Sequence, residues 1–468
     1  MSTSNDRTDK LARLERLRKL GVKRGAHDLN APVAMPERIV VGAPIETTQP
    51  PLSHSPTRPT LPGEPVDTPH GPAWVRTVRY ALAERPDLAA LLHVEPDALA
   101  AAGRDSFLAA LDPVRAAFID TETTGLTPDT GIYTFLIGVG TFELPQRAEL
   151  RGLRRAEGSH NLEGLGEFVV RQFFMRHPGE ERAQLHLLEE ALAPCTGVVS
   201  FNGRGFDLPM LQNRFILARR LFPWIRLPHF DLLPASRRVW RGRLESCRLA
   251  SLEEHILGVQ RSKEDVPGYL IPDIYRQYYL TGVVTDMLVR VFYHNLIDIT
   301  SMPLLASRLG QLYQAAGLEE RVDSLHPAER ASLARAYVEL GWIAAGERAY
   351  HAALAAARAD AQRAQLYRDL GFLLKRLTRR EEAVALWEEW IGAVPGEDVT
   401  PYIELAKHHE WYTADLAAAR GWTAWAVRIA EGWPLGYARD AMLLELRHRM
   451  TRIERKLAGD PVEGSSSD

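Results

Sequence analysis

The segment from Val114 to about Leu309 limits the chain to a small set of folds. Three apolar runs follow one another there with no helical period between them: Val114–Asp120, Ile132–Phe142 and Glu167–Arg176. Next come an amphipathic helix over Glu181–Leu192, a fourth strand over Gly197–Phe201, a helix over Leu208–Leu221, a short strand over His229–Leu233 and further helices. Three consecutive strands and then α-β-α-β-α is an α/β order, in which helices cover a mixed sheet. Residues 144–165 read as a polar insertion between the second and third strands.

The flanks differ in kind. Lys10–Arg24 carries leucines at 11, 14, 17 and 20, a helical spacing opposite a basic face. Pro32 to Pro72 holds 11 prolines in 41 residues, so residues 1–75 read as a basic helix followed by an extended, proline-rich arm. A helical lead-in is expected over 76–112, and the α/β domain over 113–312. Residues 318–460 read as helix throughout, with a repeat. Tyr367, Leu370, Gly371, Leu374, Ala383, Trp387, Trp390 and Pro395 recur about 35 residues on as Tyr402, Leu405, Ala406, Ala418, Trp422 and Trp425. Tyr337, Leu340, Gly341 and Ala349 form an earlier unit. A period near ~34 residues predicts a tetratricopeptide-like solenoid; a plain helical bundle is the alternative. Two cysteines, Cys195 and Cys247, build neither a disulfide framework nor a four-thiolate zinc site, so a reducing cytoplasm is expected. No apolar run approaches ~20 residues, so no membrane association is expected.

Chemistry concentrates in three strings. In FIDTETTGL (118–126), Asp120 and Glu122 stand two apart on a strand and share a face, just before a Thr-Thr-Gly loop. Adjacent carboxylates repel unless a cation lies between them, and hard cations such as Mg²⁺ take oxygen ligands; an exposed strand end is the plain alternative. In VVSFNGRGFDLPML (198–211), Asp207 opens a helix with Pro209 in its first turn, where an N-cap alone would also suit it. In VFYHNLIDITSM (291–302), about 100° per residue from Met287 puts Asp298 near ~20°, inside the arc of Val291, Met302, Leu305 and Leu309. His294 lies ~40° from Asp298 and Tyr293 ~140° away, so a regular helix lets His294 share a site with Asp298. A buried His–Asp pair joining helices is the alternative.

Taken together, Asp-x-Glu, Asp and His-Asp, with the strings HFDLLPASRRVW and DVPGYLIPDIYRQYYLTG, resemble the DEDD superfamily of 3′–5′ exonucleases on the ribonuclease H-like fold. The chain is more closely similar to the YprB-type bacterial proteins, in which such a domain precedes tetratricopeptide repeats. The resemblance implies that Asp120, Glu122, Asp207 and Asp298 hold two divalent cations, Mg²⁺ or Mn²⁺. His294, as a neutral imidazole, would be the general base. The His294–Asp298 spacing departs from the histidine subgroup, which has four intervening residues where this chain has three, and Tyr293 has the four. The loop Thr123, Thr124, Gly125 and Leu126 would hold the 3′-terminal nucleotide.

Substrate would be nucleic acid, DNA or RNA. The chain as a whole carries 57 Lys+Arg against 60 Asp+Glu, which excludes a uniformly basic binder. Only seven of those cations are lysine. From Arg214 to Arg248 nine arginines face two acids, a strip that could track phosphates or could be held in internal ion pairs. Asn202, Arg214, Arg237 and Arg238 are the residues singled out there for substrate contact. Residues 319–468 carry 20 cations and 24 acids, so their groove is expected to take a protein partner. A non-catalytic nucleic-acid-binding module and an endonuclease are the competing functions.

Overall fold

Residues 59–125, 131–145, 166–262, 265–314, 318–394, 396 and 398–458 are described by a computed structural model. The Lys10–Arg24 helix, most of the proline-rich arm, nearly all of the 144–165 insertion, Leu126 and Pro395 lie outside the described residues. The described residues belong to one unit, Ser55–Asp468.

Seven strands among the described residues join in one sheet: β1 (Glu64–Thr68), β2 (Gly71–Ala81), β3 (Ala116–Thr123), β4 (Thr134–Glu143), β5 (Glu167–Phe174), β6 (Gly197–Ser200) and β7 (His229–Asp231). Their order is β1-β2-β5-β4-β3-β6-β7. β3 pairs antiparallel with β4 and parallel with β6, so the sheet is mixed. β3 is buried on both faces until its last turn. Ala116 and Phe118 share a core with Leu296, Ile299 and Met302, whereas Ala117 and Ile119 share another with Leu185, Leu211 and Phe215. The first face is covered by helix α6 (Asp286–Tyr313), the second by α2 (Glu181–Leu192) and α3 (Asp207–Leu217). Helices α1 (Pro96–Gly103), α4 (Leu232–Trp240) and α5 (Ile271–Thr281) complete this domain. The architecture is the mixed sheet flanked by helices expected from the strand order, and it is consistent with the ribonuclease H-like fold that the resemblance implies.

The β1–β2 hairpin corrects the sequence reading, which places an arm and a helical lead-in there. β2 runs antiparallel to β5 from Trp74 opposite Phe174 to Ala81 opposite Glu167. The strand is hard to see in sequence because only Ala73 and Val75 are buried, and prolines 62, 65, 69 and 72 surround it. Proline is tolerated at the edge, where β1 carries Pro65. Helical turns appear only from Pro86 onward.

After α6 the chain continues as α7 (Leu318–Ser324), α8 (Pro327–Glu339), α9 (Ile343–Ala356), α10 (Asp360–Arg376), α11 (Arg380–Ala393), α12 (Thr400–Trp411), α13 (Leu416–Glu431) and α14 (Tyr437–Ala458). Small residues let neighbouring helices close: a Cβ on Gly371 would lie 2.4 Å from Trp387 Nε1, and one on Gly346 2.5 Å from Val338 Cγ2. The Tyr337 hydroxyl donates to the Leu312 carbonyl (2.5 Å), and Trp240 Nε1 donates to Glu329 (3.1 Å), rooting the helices in the α/β domain. No helix among the described residues is long and apolar enough to cross a membrane.

The approach of α6 to the sheet depends on β4. A Cβ on Gly138 would stand 2.3 Å from Asn295 Oδ1, and one on Gly140 2.7 Å from Ile299 Cγ2. Gly138→Ala should therefore lower stability by ~1–3 kcal/mol through overpacking. Gly421→Ala, on a helix with nothing within 4 Å, should be neutral or slightly stabilising. Thermal unfolding of both variants checks this, and equal effects would contradict it.

Candidate functional site

Strand register builds the floor of the site. Asp120 on β3 lies opposite Gly138 on β4, Gly138 opposite Gln172 on β5, and Gln172 opposite Arg76 on β2. The missing side chain at Gly138 leaves room for Asn295, reaching down from α6. Asn295 Nδ2 donates to Asp120 Oδ2 (2.8 Å), and its Oδ1 accepts from Gln172 Nε2 (2.8 Å). Gln172 also donates to the Phe292 carbonyl (2.8 Å), and its Oε1 accepts from Arg76 Nη1 (3.2 Å). Asn295 and Gln172 are fully buried. A polar row across four strands thus fixes one oxygen of Asp120.

Asp207 reaches the same end of β3 from the other side. Its Oδ1 accepts from the Thr121 backbone N–H (3.1 Å) and the Thr121 hydroxyl (2.6 Å). It sits in the first turn of α3, as the sequence places it, one residue after the N-cap position, Phe206. The preceding turn is held by Asp231, which accepts from the backbone N–H groups of Asn202 (2.8 Å), Arg204 (3.2 Å) and Leu233 (3.1 Å). Asn202 adopts φ +67°, the left-handed conformation that Asn tolerates.

α6 supplies the remaining groups. Its start is capped by Thr285, whose hydroxyl accepts from Leu288 N–H. His294 and Asp298 face each other, Nε2 to Oδ2 3.7 Å. His294 Nδ1 is paired with Asp265 Oδ1 (2.8 Å). Tyr293 turns away, and its hydroxyl oxygen accepts from the Ser262 backbone N–H (3.0 Å). The second group absent from the sequence reading is Arg261. Its guanidinium pairs with Asp298, with Glu253 (2.9 Å to Oε1) and with Asp265 (3.1 Å). Glu253 is fully buried in a π-helical turn, Glu253–Leu257.

The electrostatics report a shortage of positive charge. Burial, then the charges of Asp298, Glu122 and Asp207, push Asp120 well above the usual carboxylate range, against the Asn295 hydrogen bond. Burial also pushes Glu122 up to about 8, with Asp298, Asp207 and Asp265 adding to it and His294 opposing. Asp207 rises to about 6, again through burial, partly offset by Thr121. For His294 burial opposes the charged form, but the Asp265 hydrogen bond and the Asp298 and Glu122 charges prevail and raise it to about 9. The cation-free site therefore favours imidazolium, where the sequence reading has a neutral ring.

The donor set fits divalent cations in type and charge: mutually repelling carboxylates on a rigid strand end. The geometry is not closed around a metal. No group of three His, Cys, Asp or Glu side chains among the described residues is set to hold one. Asp298 is drawn to Arg261, Asp120 to Asn295 and Asp207 to Thr121.

The other residues singled out from sequence are more dispersed. Thr123 is buried and donates to the Gly125 carbonyl (2.6 Å), and Thr124 exchanges hydrogen bonds with the Tyr133 backbone, 3.0 Å each way. Arg214 is buried, pairs with Glu181 (2.8 Å) and lies 4.0 Å over the Tyr133 ring. Arg238 donates to the Ala102 carbonyl. Arg220 pairs with Glu189 and Arg243 with Glu329. Much of the arginine strip is thus engaged internally, while Arg237 is exposed. A window count misses this because the acidic partners lie 31 to 86 residues away.

Residues 117–310 match the family model described as the RNase H superfamily. With the strand order, this defines a ribonuclease H-like domain carrying an acidic cluster at the end of β3. The chain is also similar to an uncharacterized protein of Bacillus subtilis (strain 168), YprB, with 32% identity over 305 residues. That match covers 63% of this chain and 64% of the relative's length.

Two outcomes follow. Because folding disfavours ionised Glu122, its contribution to stability without metal should be fully present below pH about 4.5 and be lost as pH rises through about 8. Glu122→Gln should then melt a few degrees higher than wild type at pH 9 in EDTA and nearly equal to it at pH 5; a lower melting point at pH 9 would contradict this. Arg261→Met leaves Glu253 buried without its partner and should cost ~3–5 kcal/mol. Adding Glu253→Gln should restore most of that loss in denaturant unfolding, and no restoration would place the role of Arg261 elsewhere.

Proposed function

We propose that the chain is a metal-dependent nuclease that hydrolyses phosphodiester bonds, acting as a 3′–5′ exonuclease on single-stranded or frayed ends. The observation that carries this reading is the meeting of Asp120, Glu122 and Asp207 at one strand end with His294 and Asp298 beside them, in a ribonuclease H-like domain. Asp120, Glu122, Asp207 and Asp298 would hold two divalent cations, Mg²⁺ or Mn²⁺. When bound, such ions lower the pKa of a water and stabilise the leaving oxygen.

The chain's own groups supply position and proton handling. The row Arg76–Gln172–Asn295 orients Asp120, and Thr121 orients Asp207. Asp265 holds His294 Nδ1, which leaves Nε2 as the atom that would exchange a proton at the site. The imidazolium and Arg261 neutralise the acids when no metal is present. Freeing Asp298 from Arg261 would accompany full ligation. The turn Thr123–Gly125 and Asn202 border the acids and are the residues we assign to the terminal nucleotide. The tight Gly346 and Gly371 helix contacts support a tetratricopeptide-like array as the second binding element.

A binding module without catalysis is the second reading, favoured by the Arg261–Asp298 pair. One assay separates them: 5′-labelled single-stranded DNA and RNA of the same sequence, with Mn²⁺ or Mg²⁺. The expected result is stepwise shortening of linear strands, no cut in circular single-stranded DNA, and a loss of at least about 10³-fold with Asp120→Asn. Equal rates for wild type and Asp120→Asn would remove the site. A cut circle would make it an endonuclease.

A further inference from the structure

Residues 319–468 carry a net −4 by sequence, yet their helices concentrate positive charge in one place. A cavity of about 290 Å³ opens between α10, α11, α12 and α14, and its walls include Lys375, Arg380, Lys407, Arg449 and Arg452 against one acid, Glu404. Lys456 stands beside it, 3.6 Å from the ring centre of Trp411. Lys375, Lys407 and Lys456 are the only lysines beyond residue 263, and all three come to this spot.

Neutralisation there is incomplete. Arg449, Arg452 and Lys456 share the buried carboxylate of Glu410 (3.4, 2.7 and 2.9 Å), and Lys375 and Lys407 share Glu404. Arg380 has no ion pair among the described residues and lies 4.3 Å over the Tyr412 ring. At the rim, Trp411 and Tyr412 are 58% and 57% exposed.

We propose that this groove binds single-stranded nucleic acid. Clustered cations beside aromatic rings that keep more than half their surface exposed are what a strand uses, phosphates on the cations and bases against the rings. An acidic peptide would meet the cations but leave two adjacent aromatic rings unused. The nuclease domain has many of its arginines engaged internally, so a polyanionic substrate needs positive charge from elsewhere. This inference builds on the nuclease reading for its ligand, but its test does not require hydrolysis.

The test is fluorescence anisotropy of labelled 20-nucleotide dT and U strands with the full chain in EDTA, which separates binding from cleavage. Arg380→Glu/Trp411→Ala, both on exposed side chains, should weaken binding at least about tenfold and reduce the salt slope by about one, with an unchanged melting temperature. Gly421→Ala, at a position outside the cavity lining, should bind like wild type. Wild-type affinity in the double variant would overturn the proposal. So would binding of labelled polyglutamate by a chain that does not bind the oligonucleotides, which would assign the groove to an acidic protein segment. Groove-dependent binding without hydrolysis in Mn²⁺ would leave the groove standing and remove the nuclease reading.

Discussion

Carboxylates crowded at the buried end of a central strand repel one another, and much of the surrounding structure answers that repulsion. Asp120 and Glu122 share a face of β3 by strand geometry, and Asp207 is brought against Thr121 by the turn that Asp231 organises. Neutral donors can fix such groups but cannot cancel their charge. The cations at hand are His294, held by Asp265, and Arg261, held by Glu253 and Asp265. They sit to one side, on α6 and the segment before it, and the three strand-end acids keep raised proton affinities. That residual imbalance is what makes a metal-dependent role for the cluster physically reasonable.

Position and charge are separated in this design. A row of uncharged contacts through Gln172 and Asn295 orients Asp120, and it exists because Gly138 lets α6 come close to the sheet. Charge is supplied separately, by Arg261 and His294 beside Asp298. Elsewhere Arg214, Arg220 and Arg243 are tied one to one to acids within the fold, whereas the last three lysines gather on the helical array and share two acids, Glu404 and Glu410, with further cations.

Strands β3 to β6 were legible because each is an apolar run that the fold buries, whereas β7 showed only as the short segment His229–Leu233 ahead of a helix. β1 and β2 were not, because an edge hairpin buries few side chains and prolines mask it. Asp120 and Glu122 followed from the two-residue period, and the facing of His294 and Asp298 followed from helix geometry, which also turned Tyr293 away. Asn295 lies near ~80° on the same helical wheel, at the margin of the apolar arc, and paired with the Gly138 and Gly140 alternation it gave a usable signal. Gln172, Arg76 and Arg261 gave none: their roles depend on partners 37 to 123 residues distant. The tetratricopeptide spacing pointed to helices that the structure contains, but the local charge of their groove is a three-dimensional property that net counts conceal.

Mn²⁺ titration followed by electron paramagnetic resonance tests whether the acidic cluster is the divalent-cation site proposed above. Up to two ions should bind per chain, with binding reduced by Asp120→Asn and by Asp207→Asn and unaffected by Arg380→Glu. Identical Mn²⁺ binding in wild type and Asp120→Asn would contradict it.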